Sequence, residues 1–449
     1  MRLLPSSLAP AGYSPARLNT LSIAKASDKG QRLADLMAIK RLFANGEQGG
    51  YWPADPAYMF EDSAGTIPAS VNGVVGLRFD VSKDLKLGPN IFLNSSFSDN
   101  SAWSSASTGT GTFSIADGVA AIIGTTGSNR GAFTQSSLTT GAFYKVTANA
   151  VVVYGAMLAF GAAVGTGGIA ISSSREISQL VFGGGNSGTY FYTINTGGNG
   201  KFDNVTAQLL LGNHAIQATT GNKPYLRQTP VSNKFWLDSN TSTGALTATF
   251  SGSLGSACTI ATVGAEGVTI AENQTVDTTY NLTPPFSYNG DVLIINRALT
   301  AAEKALVTRV MGRNVPGLGS ELVTNGGFDT DISGWLAFIV STGTITWNSG
   351  TAQVSVPDGG ASRAIIKQDI SVGANPYILK YSITSSTTGT YFSIKTTDEA
   401  TTYYSDIQTI GNKSIVRISP ISILRIMYSA GIVAGNTGTL DNVTMKPIL

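Results

Sequence analysis

The feature that most constrains the fold is an internal repeat, in which one set of residues occurs twice in the same order. Each copy begins with Asn, Phe and Trp, continues through Gln, Gly and Tyr, and ends on Asp-Asn-Val-Thr. The first copy consists of Asn94, Phe97, Trp103, Gln135, Gly141, Tyr144 and 203–206, and the second of Asn325, Phe328, Trp335, Gln368, Gly373, Tyr377 and 441–444. A repeat of this length indicates duplicated domains rather than a solenoid. We therefore predict two copies of one module, at residues 84–211 and 317–449.

The composition favours β structure in these modules and around them. Hydrophobic residues make up 42% of the chain, which is too apolar for a disordered protein. Charged residues are only 12%, while Thr, Val, Tyr and Phe are abundant, as in strands. Short alternating runs separated by Gly, Asn and Ser are typical of sandwich domains. The apolar run at 151–164 is interpreted as two buried strands.

Two helices are predicted outside the repeat. Residues 31–45 carry apolar side chains at spacings of three and four, although Lys40 interrupts the stripe and Asp28 is taken as the N-cap. Residues 300–311 form the second helix, because the Thr at its start and Glu303 make a capping-box pattern.

Charge and rare residue types exclude several classes of function. Lys and Arg number 29 against 27 Asp and Glu, which gives no electrostatic footprint for nucleic acid or an anionic membrane. A single cysteine, Cys258, excludes an intrachain disulfide framework and a zinc–cysteine cluster. A single histidine, His214, leaves one imidazole for acid–base or metal chemistry. Pro5 interrupts any secretory leader, and no run is long enough to span a membrane, so we expect release by lysis as part of a particle.

The repeat resembles carbohydrate-binding modules of the family 4/9 type. The resemblance rests on ELVTNGGFDTDISGW at 321–335 and TLDNVTM at 439–445, and the first copy matches less closely with NIFLNSSFSDNSAW at 90–103 and KFDNVTAQL at 201–209. It implies a β-jelly-roll sandwich for each copy.

The segments that flank the first copy resemble a second family. GGYWPADPAYMFEDSAG, which begins residues 49–83, is similar to the start of laminin G-like, or concanavalin-A-like, domains of phage structural proteins, and GNHAIQAT at 212–219 is similar to the phrase that follows in that family. The first module stands between them, which implies an insertion at a loop. The expected fold is all-β, with three sandwich or jelly-roll domains, one inserted in another, and a short N-terminal arm and helix. The expected divisions are 1–45, 46–83 plus 212–316, 84–211 and 317–449.

Catalytic chemistry finds little support among the residues. His214 has no accompanying nucleophile motif, and the family phrase gives it a structural role, while Cys258 lies in a small-residue strand as an inert thiol. Paired carboxylates could hydrolyse glycosides. The candidates are Asp55, Glu61, Asp62, Asp80 and Asp291. For none of these carboxylates can a second catalytic carboxylate be identified from the sequence. The alternative is that they are solvated side chains in turns. We therefore predict that the protein is not an enzyme.

Sugars are bound by flat aromatic faces with polar groups at the rim. The aromatic candidates are Trp103, Trp335, Trp347, Tyr190, Tyr192, Tyr391, Tyr403 and Tyr404. Trp103 and Trp335 recur at matching places, which favours a core role for both. The predicted carbohydrate-binding residues are therefore Trp347, Tyr403, Tyr404, Tyr190 and Tyr192.

A structural calcium ion is the only cofactor that the sequence suggests. The family resemblance implies calcium near the ends of a module, and the candidate ligands are Asp203, Asp329 and Asp441. In the first copy Ser98 and Asp99 are aligned with Asp329 and Thr330. The alternative is that each Asp-Asn pair only shapes a turn.

Together these observations predict a bacteriophage virion protein of the fibre, spike or decoration type that adheres to host-surface glycan. Its expected partners are other virion proteins, contacted through residues 1–45, and host glycan, with no nucleic acid and no membrane insertion. A homo-oligomer is expected. The alternatives are a purely structural capsid or neck decoration protein that binds no sugar, and a polysaccharide depolymerase.

Overall fold

The computed structural model contains a chain built mainly of antiparallel strands, and it confirms the all-β prediction. It describes residues 26–99, 101–125, 129–136, 138–139, 142–161, 169–182, 188–193, 197–239, 245–285, 287–340, 342–357, 363–370, 375–387, 390–395, 402–407, 410–418, 423–430 and 436–449. The predicted N-terminal arm, at 1–25, lies outside them.

The strands are numbered in chain order. The first three are β1 (Gly49–Trp52), β2 (Met59–Phe60) and β3 (Leu77–Arg78). Next come β4 (Leu87–Asn90), β5 (Ser104–Ser105), β6 (Thr112–Ala116), β7 (Val119–Ile123), β8 (Ala132–Ser136), β9 (Phe143–Tyr154), β10 (Met157–Gly161), β11 (Ile169–Ile171), β12 (Arg175–Phe182), β13 (Gly188–Thr193) and β14 (Asn199–Leu210). They are followed by β15 (Ala215–Ile216), β16 (Tyr225–Gln228), β17 (Phe235–Asp238), β18 (Thr247–Thr249), β19 (Gly255–Val263), β20 (Val268–Val276), β21 (Thr279–Asn281) and β22 (Val292–Ile295). The last are β23 (Leu336–Val340), β24 (Thr344–Asn348), β25 (Thr351–Val356), β26 (Arg363–Asp369), β27 (Pro376–Ser386), β28 (Thr390–Lys395), β29 (Thr402–Ile407), β30 (Gly411–Ile418), β31 (Ile423–Ala430) and β32 (Asn436–Pro447).

The first three strands and β15–β22 form one sandwich, which we call the split sandwich. One sheet has the order β1-β22-β19-β20 and the other β2-β3-β15-β18-β21, while β16 and β17 pair separately. Gly49 is paired with Ile295, and Leu77 with Ile216. The chain therefore leaves this sandwich after β3 and returns to the neighbouring strand at β15.

The segment between those strands, the inserted module, and the C-terminal module share one topology. The front sheet is β11-β10-β13-β8-β5 in the inserted module and β29-β28-β31-β26-β23 in the C-terminal module. The back sheet is β12-β9-β14-β7-β6 in the first and β30-β27-β32-β25-β24 in the second, and β4 adds to the first by pairing with β14. Each of these strands except β4 therefore has a counterpart at the same place in the other module.

Each module closes around an aromatic and aliphatic core between its two sheets. Phe133 and Phe191 stack at a centroid distance of 4.6 Å in the inserted module. Tyr428 contacts Phe392 at 4.9 Å in the C-terminal module. The run at 151–164 does contain strand residues, but Val151 and Val153 are exposed by 48% and 56%, so the prediction that these strands are buried is wrong there. The end of β9 lies at the rim of the back sheet rather than in the core.

Helix α1 spans Ala26–Lys40 and continues as a 3-10 turn over Arg41–Phe43. It begins five residues before the predicted start, so Asp28 lies inside the helix rather than at its N-cap. Asp is favoured both at the N-cap and within the first helical turn, so its place in the sequence does not fix where the helix begins. Lys40, the cation in the apolar stripe, pairs with Asp84.

Helix α2 spans Ala301–Met311 and confirms the second helix prediction. Thr300 Oγ1 accepts the Glu303 N–H at 3.2 Å, and the Glu303 carboxylate accepts the Thr300 N–H at 2.8 Å. The two reciprocal bonds satisfy donors that the first helical turn leaves open. Among the described residues, neither helix combines the length and apolarity needed to cross a membrane.

Candidate functional site

The repeated residues form a common structural frame at the end of each module. Asn94 and Asn325 adopt left-handed backbone conformations, with φ of 48° and 49°. The indole N–H of Trp103 donates to the Asn94 carbonyl at 3.0 Å, and that of Trp335 donates to the Asn325 carbonyl at the same distance. Both indoles are buried. The two tryptophans are therefore core residues of the frame.

A buried glutamine closes the same loop in both copies. Gln135 accepts the Leu93 N–H at 2.9 Å and donates to the carbonyls of Leu93 and Ala102. Gln368 accepts the Thr324 N–H at 2.8 Å and donates to the carbonyls of Thr324 and Gly334. Satisfied buried amides of this kind fix loop geometry. The matching contacts explain why Gln recurs in the sequence.

The Asp-Asn pairs shape a turn within the last strand of each module. Asp203 accepts the backbone and side-chain N–H groups of Asn204, and Asp441 does the same for Asn442. Both asparagines have positive φ, near 50°. Their neighbours Val205 and Val443 then donate to the opening loops, so the turn joins the two ends of the module.

The predicted calcium ligands do not form one cluster. Asp203 belongs to the inserted module, whereas Asp329 and Asp441 belong to the C-terminal module. In the part of the chain that the structure describes, no three acidic, Cys or His side chains converge as a metal site would require.

The structure also changes which residues of the two opening loops correspond, because Asp99 and Asp331 each accept hydrogen bonds from the loop asparagine and from a following serine. Asp99 therefore corresponds to Asp331 and not to Thr330.

The front sheet of the inserted module presents two of the predicted tyrosines on its outer face. Tyr190 and Tyr192 alternate with the core residue Phe191 on β13, so both lie on the face away from the core. Tyr190 is half-buried, while Tyr192 is fully buried beneath the guanidinium of Arg130, which lies 5.6 Å from the ring centroid. Thr134 is directly opposite Tyr190 on β8. We call these four residues the tyrosine face.

The corresponding positions of the C-terminal module carry different side chains. Gln135 is paired with Thr189, and Gln368 with Leu424, which sets the correspondence. The adjacent pair on these strands, Thr134 and Tyr190, therefore corresponds to Lys367 and Arg425. The frame is thus kept between copies while the outer face of the front sheet differs.

The other predicted aromatic residues lie in the C-terminal module. Trp347 is 44% exposed on the edge strand β24, and its indole N–H donates to the Phe328 carbonyl at 2.7 Å. It is paired with the core residue Ala352. Tyr403 and Tyr404 belong to β29, at the edge of the front sheet, and Tyr391 belongs to the adjacent β28. Trp347 and the three tyrosines therefore do not share a strand, and Trp347 lies on the opposite sheet.

The split sandwich buries a polar network around Asp80 and Asp291. The Asp80 carboxylate accepts the N–H groups of Tyr51, Ser82 and Asn213, and its own N–H donates to His214 Nδ1 at 3.1 Å. Burial lowers the pKa of His214 to about 4, partly offset by the nearby Asp80 charge. The imidazole is therefore a neutral acceptor near pH 7.

The remaining carboxylate candidates and the thiol also have local partners. Asp291 accepts the Ala54 N–H at 2.7 Å and the Tyr51 hydroxyl at 2.8 Å. Asp55, Glu61 and Asp62 accept hydrogen bonds from residues of their own loops, as the turn interpretation predicts. Burial raises the pKa of the Cys258 thiol, which disfavours the reactive thiolate.

A cleft of about 300 Å³ lies where the split sandwich meets the C-terminal module. Tyr280 and Glu266 line it from one side, and Ser414 and Val416 from the other. Glu266 forms an ion pair with Lys380 across the junction. The volume is at the lower limit of ordinary ligand pockets.

No family model matches the sequence, and no curated protein matches it. Among solved structures, a family 4 carbohydrate-binding module is similar over 28% of this chain and 99% of its own length, at 16% identity and a TM-score of 0.23. The enzymatically active domain of bacteriophage CBA120 tailspike protein 4 is similar over 28% of this chain and 21% of its own, at 23% identity and a TM-score of 0.23. A family 61 carbohydrate-binding module solved with β-1,4-galactotriose is similar over 28% of this chain and 98% of its own, at 13% identity and a TM-score of 0.22.

Proposed function

We propose that this chain is a bacteriophage virion protein of the fibre, spike or decoration type, whose modules bind host-surface glycan without cutting it. The observation that carries the glycan part is the tyrosine face, where Tyr190 lies half-buried opposite Thr134 and the Arg130 guanidinium lies over the neighbouring Tyr192 ring. A flat aromatic ring, with the Thr134 hydroxyl oxygen opposite it as an acceptor and the Arg130 guanidinium at the neighbouring tyrosine as a donor, suits the apolar face and the hydroxyl groups of a sugar ring.

The difference between the two modules supports a recognition role for this face. A residue needed only for folding is expected to persist in both copies, as the frame residues Gln135 and Gln368 do. The outer-face positions instead change from Tyr190 to Arg425 between copies. Such divergence on one unchanged scaffold is how two modules acquire different ligands.

The non-catalytic part of the proposal is supported by the state of the buried carboxylates. Asp80 accepts hydrogen bonds from three backbone N–H groups of the split sandwich, and Asp291 accepts one from the Ala54 N–H and one from the Tyr51 hydroxyl. A general acid needs a carboxyl that is free to reach substrate. These two groups are committed to the fold.

The virion part rests on the resemblance of residues 46–83 and 212–316 to domains of phage structural proteins. The N-terminal region would attach to other virion proteins. Helix α1 packs against the split sandwich through Ile39, and the 3-10 turn that follows does so through Leu42 and Phe43. Many copies on one particle would turn weak single-site sugar binding into firm adhesion.

A glycan array probed with the full chain tests the proposal. We expect binding that falls roughly tenfold on Tyr190→Ala, because aromatic stacking contributes on the order of 1 kcal/mol beyond buried area. The matched control is Tyr154→Ala, since Tyr154 is 68% exposed at the end of β9, on the other sheet of the same module.

The other outcomes identify the alternatives. A blank array for the unaltered chain contradicts the proposal and favours a decoration protein that binds no sugar. New reducing ends or unsaturated products after incubation with host polysaccharide identify a depolymerase. Equal losses for both tyrosine variants contradict the assignment of the site to the front sheet.

A further inference from the structure

One arginine beside the front sheet is the same in both modules. Arg130 lies five positions before Gln135, just ahead of β8, where its N–H donates to Thr108 at 2.9 Å. Arg363 lies five positions before Gln368 and begins the counterpart strand β26. Because the two glutamines correspond, the two arginines do as well. The arginine is therefore a further repeated residue, although its neighbours on the sheet differ between the copies.

Both arginines belong to the outer face of their sheet. Arg130 is three positions before the core residue Phe133, and its guanidinium lies over the Tyr192 ring of that face. Arg363 is three positions before the core residue Ile366. Odd spacings from a core residue place a side chain on the side away from the core. Arg130 is half-buried and Arg363 is exposed, so ligands in solution can reach both.

Neither guanidinium helps to hold the fold together. In the part of the chain that the structure describes, no carboxylate lies within 4.0 Å of Arg130 or Arg363, and neither guanidinium donates a hydrogen bond. The repeated Gln135 and Gln368 differ in this respect, because each makes the same set of hydrogen bonds to its opening loop. A structural role therefore does not account for the recurrence of the arginine.

The sheet next to Arg130 carries no charge of its own. Its five strands, β5, β8, β10, β11 and β13, contain no acidic or basic residue. Tyr190 and Tyr192 are two positions apart, which is about 6.7 Å along a strand, so Tyr190 lies beside the ring that the guanidinium covers. The exposed Ser104 is paired with Thr134 on the far side of Tyr190. One cation without a counter-charge thus lies next to an aromatic ring and two hydroxyl groups.

We infer that the tyrosine face binds an acidic sugar, whose anionic group pairs with the Arg130 guanidinium while its ring lies against Tyr190. The inference rests on the proposed glycan-binding function and names the ligand class of that site. A guanidinium presents planar N–H donors that match two oxygens of one anionic group, and such charge-assisted hydrogen bonds are stronger than neutral ones. The shared chemistry is an anionic oxygen, from either a uronic acid carboxylate or a sulfate ester.

Two pairs of polymers separate charge from sugar identity. Polygalacturonate is compared with its fully methyl-esterified form, and dextran sulfate is compared with dextran, both by biolayer interferometry on the full chain. We expect the full chain to prefer a charged polymer over its neutral partner and to lose that preference as salt rises. The carboxylate pair and the sulfate pair distinguish the two sources of anionic oxygen.

Three variants locate the effect. Arg130→Gln is expected to weaken binding to the preferred charged polymer roughly tenfold, the scale of one lost hydrogen bond to a charged group, and to leave binding to its neutral partner unchanged. Tyr190→Ala is expected to weaken binding to both members of the pair, because the ring contacts the sugar itself. Lys201→Gln removes one positive charge from the exposed outer face of the back sheet, on β14 of the same module, and is expected to leave binding unchanged. Near-ultraviolet circular dichroism checks that each variant keeps its tertiary packing.

The outcomes separate this inference from the proposed function. Equal binding to charged and neutral polymers, or equal losses for Arg130→Gln and Lys201→Gln, overturns Arg130 as an anion contact. If array binding still depends on Tyr190 in that case, the proposed function stands. No binding to any polymer or array glycan removes both.

Discussion

The side chain of His214 links the stability of the split sandwich to pH. The imidazole accepts the Asp80 N–H and contacts the rings of Phe79 and Phe143 at centroid distances of 4.9 and 5.4 Å. It sits where the inserted module meets the split sandwich, so protonating it places a cation between two aromatic rings and removes an acceptor. Sequence reasoning gave this residue a structural role, but its partners are distant in sequence and had to come from the structure.

We predict that unfolding free energy falls as pH is lowered from about 6.5 to about 4. Burial lowers the pKa of His214 from 6.5 to about 4, so in this interval the unfolded chain binds a proton that the folded chain does not. The neutral imidazole of His214 makes its full contribution to the free energy of unfolding above pH 6.5. Below pH 4 that contribution, about 3 kcal/mol, is lost.

The pH effect can be isolated with His214→Asn, whose side-chain oxygen can still accept a hydrogen bond but does not titrate. Urea unfolding of both proteins at half-unit steps measures the difference. The variant is expected to be less stable at pH 7, with a shallower decline toward pH 4. Parallel pH profiles would contradict the assignment to His214.

At the scale of elements, local signals predicted structure better than distant ones. Helix α2 was predicted because Thr300 and Glu303 are three residues apart. The charge pattern on the front sheet depends on the register between β26 and β31, whose Lys367 and Arg425 are far apart in the chain. No local pattern reports such a register, so the pairing of these two residues could not be predicted from the sequence.

One repeated residue was missed although its signal was present. Gly200 and Gly438 each stand two positions before a core residue of the last strand of their module, Phe202 or Leu440. A methyl group on Gly200 would meet Met157, and one on Gly438 would come within 2.7 Å of Tyr428. Each glycine therefore makes room for a core side chain on the opposite sheet.

We predict that Gly438→Ala destabilises the C-terminal module by about 2 kcal/mol, because the added methyl overpacks a core that has no space for it. Phe392 would be 3.0 Å from the new carbon, so at least two rings would have to shift. The matched control is Gly327→Ala, where the nearest atom is 3.4 Å away and the expected change is within about 0.5 kcal/mol. Chemical denaturation monitored by Trp fluorescence measures both, and equal midpoints for the two variants would contradict the argument.

The whole molecule is organised around the split sandwich, which contacts both modules. Its core cluster includes Phe143 and Leu180 from the inserted module, and Ile378 and Val416 from the C-terminal module. The ion pair between Glu266 and Lys380 adds a polar contact on the C-terminal side. Modules packed in this way keep defined relative positions, so under the proposed function their faces would contact one glycan surface at the same time.

The interface with the inserted module should therefore control how the chain unfolds. Phe143 is buried at the start of β9, with its ring 6.3 Å from that of Phe79 in the split sandwich. Removing the ring by Phe143→Ala costs about 3 to 4 kcal/mol, mostly from contacts between modules. We expect calorimetry to show one transition shared by the inserted module and the split sandwich in the unaltered chain, and two in the variant.

Phe191→Ala provides the comparison, because Phe191 is fully buried within the inserted module and stacks on Phe133. It removes a ring of the same size without touching the interface, so it should lower the melting temperature without splitting the transition. Limited proteolysis adds a second measurement, since cleavage near residues 84 and 211 should become faster in Phe143→Ala at temperatures where both modules remain folded. If the two variants melt and cleave alike, the coupling does not reside at this interface, and the two domains would unfold as independent units joined only by the chain.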